Sequence, residues 1–352
     1  MDGLPVTVRL LDPPLHEFLP DLDDLIAMEA RDELDDEHAE LLIAARQWRE
    51  QNPMLGVRGV RLAVLREGLY RTQVRALLDA AEARTAAGGT PIVEVMIPLV
   101  AVREELALAR SWVEEELASR AGGDTGTVHI GTMIETPRAC VRAFEIAEEA
   151  DFFSFGTNDL TQLTFGFSRD DVEGPLMTAY LERGLLAADP FSTVDAGGVA
   201  DLIRIGIEGG RRTHPGLSVG VCGEHGGDPA SIAVFLGLGM DYVSCSPFRV
   251  PVARLAAARA VLAEAGFAPA SVRRPPGSVP VMAVECGGEP RRRPPAGPGG
   301  DGHGRAGDRA PPAQAGRAAL DGPLPVPHRE VAVVLGERRR GPLLLLRLRG
   351  QG

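Results

Sequence analysis

Seven short apolar runs, each four to seven residues long, alternate with amphipathic segments along the first 266 residues. The runs are Val6–Leu11, Val57–Ala63, Ile92–Pro98, Val128–Ile134, Phe152–Phe155, Ser218–Cys222 and Tyr242–Cys245. Runs this short and this apolar read as strands buried on both faces, the pattern of a parallel sheet. Helical segments are predicted between them, over Val102–Ser119, Pro137–Glu149, Val199–Gly209, Pro229–Leu238 and Pro247–Ala265. Thr136-Pro137 and Asp228-Pro229 put a capping side chain just before proline, which marks a helix start. Strands joined by helical crossovers predict an α/β fold, here a (β/α)8 barrel of the TIM type that is one strand short. A doubly wound sheet is the alternative and usually needs fewer strands.

Length and charge narrow the classes further. The 352 residues suffice for one large α/β barrel or two ordinary domains. A formal net charge of −12 argues against a nucleic-acid partner. The chain has no apolar run of about 18 residues, so no membrane partner is expected, and no basic-then-apolar leader opens it. Cys140, Cys222, Cys245 and Cys286 show neither metal nor disulfide spacing, which fits a reducing, cytoplasmic setting. The acidic stretch Asp21–Glu50 reads as a solvated helical insertion without a site.

Composition changes beyond Gly266, where Pro, Gly and Arg dominate Val272–Arg317 and include the run Arg291-Arg292-Arg293. The expected organisation is therefore a barrel domain over residues 1–266 and a low-complexity, disordered extension over residues 267–352. Within that extension, Glu330–Leu335 and Pro342–Leu348 can pair as a hairpin that resembles the opening of a Nudix-type domain. The favoured reading remains an unstructured or out-of-frame extension.

Three strand ends carry chemistry. Gly220-Val221-Cys222-Gly223-Glu224-His225-Gly226-Gly227-Asp228 sets a thiol among glycines where a proton donor can sit beside a small ligand. Gly131–Glu135 and Phe153–Asp159 each end a strand in a carboxylate. In parallel α/β barrels the reacting groups lie at such ends. Glu135 and Asp159, from neighbouring strands, can hold one Mg²⁺ that keeps waters and takes substrate oxygens as its remaining ligands. Gly156 and Thr157 offer backbone N–H groups to a phosphate, and Asn158 adds a neutral donor and acceptor. Arg9, Arg58 and Arg169 are candidate anion clamps, because a guanidinium fork pairs bidentately with carboxylate or phosphate. Together they point to an anionic, phosphorylated, metal-chelating small substrate. Each also has a plainer role: Arg9 can pair with Asp12, Glu135 can cap the helix that Pro137 opens, and His225 can orient a neighbour by a hydrogen bond.

Gly3–Phe18, Asn52–Gly56, Gly131–Glu135, Phe153–Asp171, Gly220–Asp228 and Tyr242–Pro251 resemble the pyruvate, phosphate dikinases. The likeness runs from about residue 2 to about residue 263. It implies a phosphoenolpyruvate/pyruvate-binding barrel that lacks the family's first strand. Arg9 and Arg58 would bind the phosphate and carboxylate, with Arg169 also at the substrate. Glu135 and Asp159 would hold Mg²⁺, and Gly156, Thr157 and Asn158 would line the site. Cys222 would be the acid–base at the three-carbon unit's methylene. The implied reaction is phosphoryl transfer between phosphoenolpyruvate and an enzyme phosphohistidine. The family's ATP-binding and phosphohistidine domains are absent from this chain, and none of its seven histidines sits in a phosphohistidine context. A fragment incomplete in stand-alone activity, homodimeric through the barrel, is expected. Enzyme I and phosphoenolpyruvate synthase, which share the barrel but differ around the cysteine, are the enzyme alternatives. An inactive ligand-binding fragment is the other.

Overall fold

The computed structural model describes residues 2–120, 122–264 and 331–334. Six strands run parallel in sequence order: β1 (Pro5–Arg9), β2 (Ile92–Ile97), β3 (Thr127–Ile134), β4 (Phe152–Gly156), β5 (Ser218–Cys222) and β6 (Tyr242–Cys245). A seventh, β7 (Val331–Val334), pairs antiparallel with β6. It falls where an unstructured extension was expected, and its partner is β6, while the hairpin partner read at Pro342–Leu348 lies outside the described residues. The expected tail over residues 267–352 lies outside them too, apart from β7.

Alternation along the strands divides the sheet into two unlike faces. One face presents Val93, Val95, Ile97, Ile130, Ile134, Phe153, Phe155, Val219, Val221 and Val243, all in the main hydrophobic core. The surrounding helices complete that core through Tyr70, Val74, Leu78, Leu106, Trp112, Val113, Ile203 and Ile207. The other face has only a small apolar cluster of Met96, Met133, Phe152 and Cys222. Its glycines make room for neighbouring side chains. A Cβ on Gly131 would lie 2.5 Å from the Phe152 ring, and one on Gly220 would lie 2.2 Å from the Tyr242 ring.

The capping signals were correct. The Thr136 hydroxyl accepts from the Ala139 amide, and the Asp228 carboxylate accepts from Ser231. Helices follow at Pro137–Val141 and Pro229–Gly237. The first ends early at Arg142, so the expected Pro137–Glu149 helix is two short pieces, the second being Ala143–Ile146. Asp21–Glu50 forms the helices Leu22–Ala30 and Asp36–Gln47, closed on each other by Leu25, Leu42 and Ala45.

One expected strand is a helix. After Arg58 the chain turns at Gly59, whose φ is +55°, and residues Gly59–Leu65 coil with Val60, Leu62 and Ala63 buried. An apolar run of this length does not distinguish a strand from a buried helix. The segment still docks against the sheet ends, with Gly59 N–H donating to the Asp12 carbonyl (3.0 Å) and Val60 N–H to that of Pro98 (3.3 Å). A 20-residue helix, Glu67–Ala86, follows that the sequence reading did not identify. Among the described residues, no helix is long and apolar enough to cross a membrane.

Candidate functional site

Register assembles the site. Arg9 faces Met96, Ile134 faces Phe155, and Gly156 faces Cys222 across successive parallel pairs. Glu135, Thr157 and Gly223 each begin the turn just past one of these strands. The carboxyl ends of β1 to β5 therefore share one edge of the sheet.

Arg58 is the centre of the charge network. Its guanidinium is almost fully buried, with 5% side-chain exposure. Nη2 donates to Asp12 Oδ2 at 2.5 Å, and Nη1 to Asp159 Oδ1 at 3.0 Å. Burial alone would lower its pKa, but Asp12 and Asp159 outweigh that and push it up. Arg9, which is partly exposed, reaches the same Asp12 Oδ2 at 3.3 Å. Asp12 thus joins two arginines from different segments. The sequence reading had treated it only as a local partner for Arg9.

Glu135 has no solvent exposure. Its Oε1 accepts from the Leu99 amide at 2.6 Å. That amide is aimed by an uncommon backbone state, since Leu99 sits at φ +62° just past β2. Glu135 Oε2 and Asp12 Oδ1, both buried, have no hydrogen-bond partner among the described residues. Burial first, then the Asp159 and Asp12 carboxylates, drive the Glu135 pKa well above the usual carboxylate range, against the Leu99 amide and Arg58. Gly156 completes the crowding, because a Cβ there would lie 2.5 Å from Glu135 Oε2.

The sign of the Glu135 effect can be tested. A carboxyl whose folded pKa is raised contributes stability fully below its unfolded value, about 4.3. It loses that contribution as pH rises through the folded value. Glu135→Gln is therefore expected to raise the thermal midpoint of the metal-free chain at neutral pH, with the gain shrinking toward pH 4. A variant melting below the native chain at both pH values would count against a buried-charge cost.

The thiol side of the site is more apolar. Cys222 is 5% exposed and packs with Met96, Met133 and Phe152. Its Sγ approaches the Phe155 carbonyl at 3.6 Å. Gly223, at φ +110°, brings the following loop close to the helix Thr157–Phe165. A Cβ at Gly223 would lie 3.1 Å from Thr157 Oγ1 and 3.2 Å from Asn158 Oδ1. Thr157 is fully buried, with its hydroxyl against His225 Nδ1 and the Cys222 carbonyl. Arg169 stands apart from the Arg58 network. It bonds Glu173 and Glu224 and lies over the Phe191 ring at 5.8 Å. Among the described residues, no group of three His, Cys, Asp or Glu is placed to hold a metal ion.

A parallel sheet whose carboxyl ends gather a buried arginine, carboxylates and a thiol-bearing loop is the architecture of an α/β enzyme domain. The chain belongs to the PEP-utilising enzymes: the profile of their PEP-binding domain matches residues 1–262. It is 52% identical over 268 residues to pyruvate, phosphate dikinase 1, chloroplastic, of Arabidopsis thaliana, covering 75% of this chain and 28% of that relative. It is 53% identical over 266 residues to pyruvate, phosphate dikinase of Rhizobium meliloti (strain 1021), covering 74% and 29%. The chain thus spans under a third of the length of these relatives. A citrate lyase from Burkholderia xenovorans LB400 overlaps 75% of this chain and 83% of its own, at 14% identity and a TM-score of 0.38, too loosely to bear on the fold.

Proposed function

We propose that this chain is the phosphoenolpyruvate/pyruvate half-site of a pyruvate, phosphate dikinase, with the six parallel strands β1 to β6 forming part of a TIM-type (β/α)8 barrel. The observation that carries the reading is the pair of buried, unpartnered carboxylate oxygens, Glu135 Oε2 and Asp12 Oδ1, beside two arginines. A buried acceptor without a donor costs free energy unless something fills the gap. A chelating anion bound with a cation would do so.

In this reading Arg9 and Arg58 receive the phosphate and carboxylate of phosphoenolpyruvate. Gly156 and Thr157 offer backbone donors, and Asn158 an amide. Glu135 and Asp159 would hold Mg²⁺, with water and substrate oxygens as its remaining ligands. The chemistry that bound Mg²⁺ supplies is charge stabilisation at the enolate oxygen. The phosphoryl group leaves for a histidine on another domain, and the electron pair of the broken P–O bond stays on the enolate. Cys222 then gives its proton to the methylene carbon, forming pyruvate and a thiolate. A positioned thiol is a competent general acid for that step. Arg169, which pairs with Glu173 and Glu224 apart from the Arg58 network, is assigned no contact with the substrate in this reading. The phosphohistidine and ATP-binding domains are partners supplied from outside these residues, and the setting is cytoplasmic, with a homodimer formed through the barrel.

Calorimetry with oxalate, an enolate mimic, tests the reading. Binding to the full chain is expected only with Mg²⁺ present. Equal affinity with and without the metal, or none in either case, would refute it.

A further inference from the structure

We infer that His225 is a positioning residue: as a neutral imidazole protonated on Nε2, it ties the cysteine loop to Thr157 and to Pro190, fixing the spacing between Cys222 and Asn158–Asp159. The inference rests on the functional reading above for what that spacing serves. The arrangement itself rests on geometry alone.

His225 lies three residues after Cys222 and has no solvent exposure. Nε2 is 2.9 Å from the Pro190 carbonyl. A carbonyl only accepts, so Nε2 carries the proton. Nδ1 is 2.8 Å from Thr157 Oγ1. Burial, above all, lowers the imidazole pKa, opposed by the Pro190 carbonyl, Asp228 and Glu224 and assisted by Arg169. The neutral ring leaves Nδ1 as acceptor, and the Thr157 hydroxyl gives its single proton to Nδ1 at 2.8 Å in preference to the Cys222 carbonyl at 3.4 Å. Both ring nitrogens are thereby used within the protein, which excludes His225 as the proton donor to substrate.

The three tied segments are otherwise separate in sequence. Thr157 opens the helix that carries Asn158 and Asp159. Pro190 belongs to the excursion between the helices Pro175–Glu182 and Gly198–Thr213. That excursion is anchored from below by Phe191, packed on Val172 and Met177. The cysteine loop is pressed in from the other side, since a Cβ on Gly226 would lie 1.9 Å from the Ser244 carbonyl oxygen. The imidazole therefore sits between a rigid strand end and a packed loop, with little freedom to move unless one of its two hydrogen bonds breaks.

The test uses the full chain, labelled with ¹⁵N for the ring and with His225→Phe, His225→Gln and Thr157→Val as variants. The native ring is expected to show an unprotonated Nδ1 and a protonated Nε2 from about pH 5.5 to about pH 8.5. Deuterium exchange at the methyl group of pyruvate, with Mg²⁺, reads proton delivery. His225→Phe, once its near-UV circular dichroism shows a folded chain, is expected to lose about tenfold to a hundredfold in that exchange. Its oxalate affinity should stay within about threefold. His225→Gln, which keeps a donor and an acceptor, should recover most of the rate. Thr157→Val should match His225→Phe, and the double variant should be no worse than either single, since the two act as one unit. A cationic ring, an Nδ1–H tautomer, or undiminished exchange in a folded His225→Phe chain would overturn the inference. A native chain that neither binds oxalate nor exchanges pyruvate protons would instead sink the functional reading. The ring tautomer, which needs no ligand, would still decide the arrangement.

Discussion

In a complete pyruvate, phosphate dikinase carrying this domain, Cys222→Ala is expected to lower turnover by roughly 100- to 10,000-fold while oxalate binding barely changes. The size is that of removing a positioned general acid. The split follows from where the thiol sits. Cys222 packs among Met96, Met133 and Phe152, and its Sγ approaches the Phe155 carbonyl. The charge network is centred on Arg58 with Asp12 and Asp159, so the anion's binding energy should survive the change. Proton delivery is needed in the reaction and contributes little to ground-state binding. Steady-state turnover and calorimetry on the same variant decide the point. Parallel losses in rate and affinity would make Cys222 a packing residue.

The second large effect is on stability. Arg58→Met is expected to destabilise the chain by about 3–5 kcal/mol, the usual cost of removing one partner from a buried ion pair. Asp12 and Asp159 would both lose their principal counter-charge, next to a Glu135 that is already short of compensation. Adding Asp12→Asn should restore part of the loss, because the double variant no longer strands a charge at that position. Urea unfolding provides the measurement. A loss under about 1 kcal/mol would show that water replaces the guanidinium.

The strand ends were legible because apolar runs bounded by glycine, proline or an acid mark them locally. So were the caps at Thr136 and Asp228, which act within three residues. The Glu67–Ala86 helix could also have been found: Tyr70, Val74, Leu78 and Ala81 recur at helical spacing and are buried. Val57–Ala63 was misread because its composition suits either state, and the deciding event is the left-handed turn at Gly59. Asp12 was undervalued for a different reason. Its stronger partner, Arg58, lies 46 residues away, across the two-helix insertion. The Leu99 amide, which holds Glu135, was not readable from side chains at all, because a backbone group does that work. Arg169 matched its motif, yet nearby carboxylates at Glu173 and Glu224 engage it. Local signals were thus sufficient for elements, while the pairing of distant charges required the fold.

The glycines on the less apolar face of the sheet also constrain the order in which that face can change. The Tyr242 ring fills the space a side chain at residue 220 would need, and Phe152 does the same at residue 131. Neither aromatic can be accommodated until its glycine is in place, whereas the glycine beside a smaller neighbour leaves a cavity and no clash. Substitution there is consequently directional: the small residue is permissive and comes first, and once the ring has settled the earlier step cannot be reversed without first trimming the ring. Lineages that share this domain should therefore exchange these residues as pairs, with glycine-plus-smaller-neighbour as the intermediate.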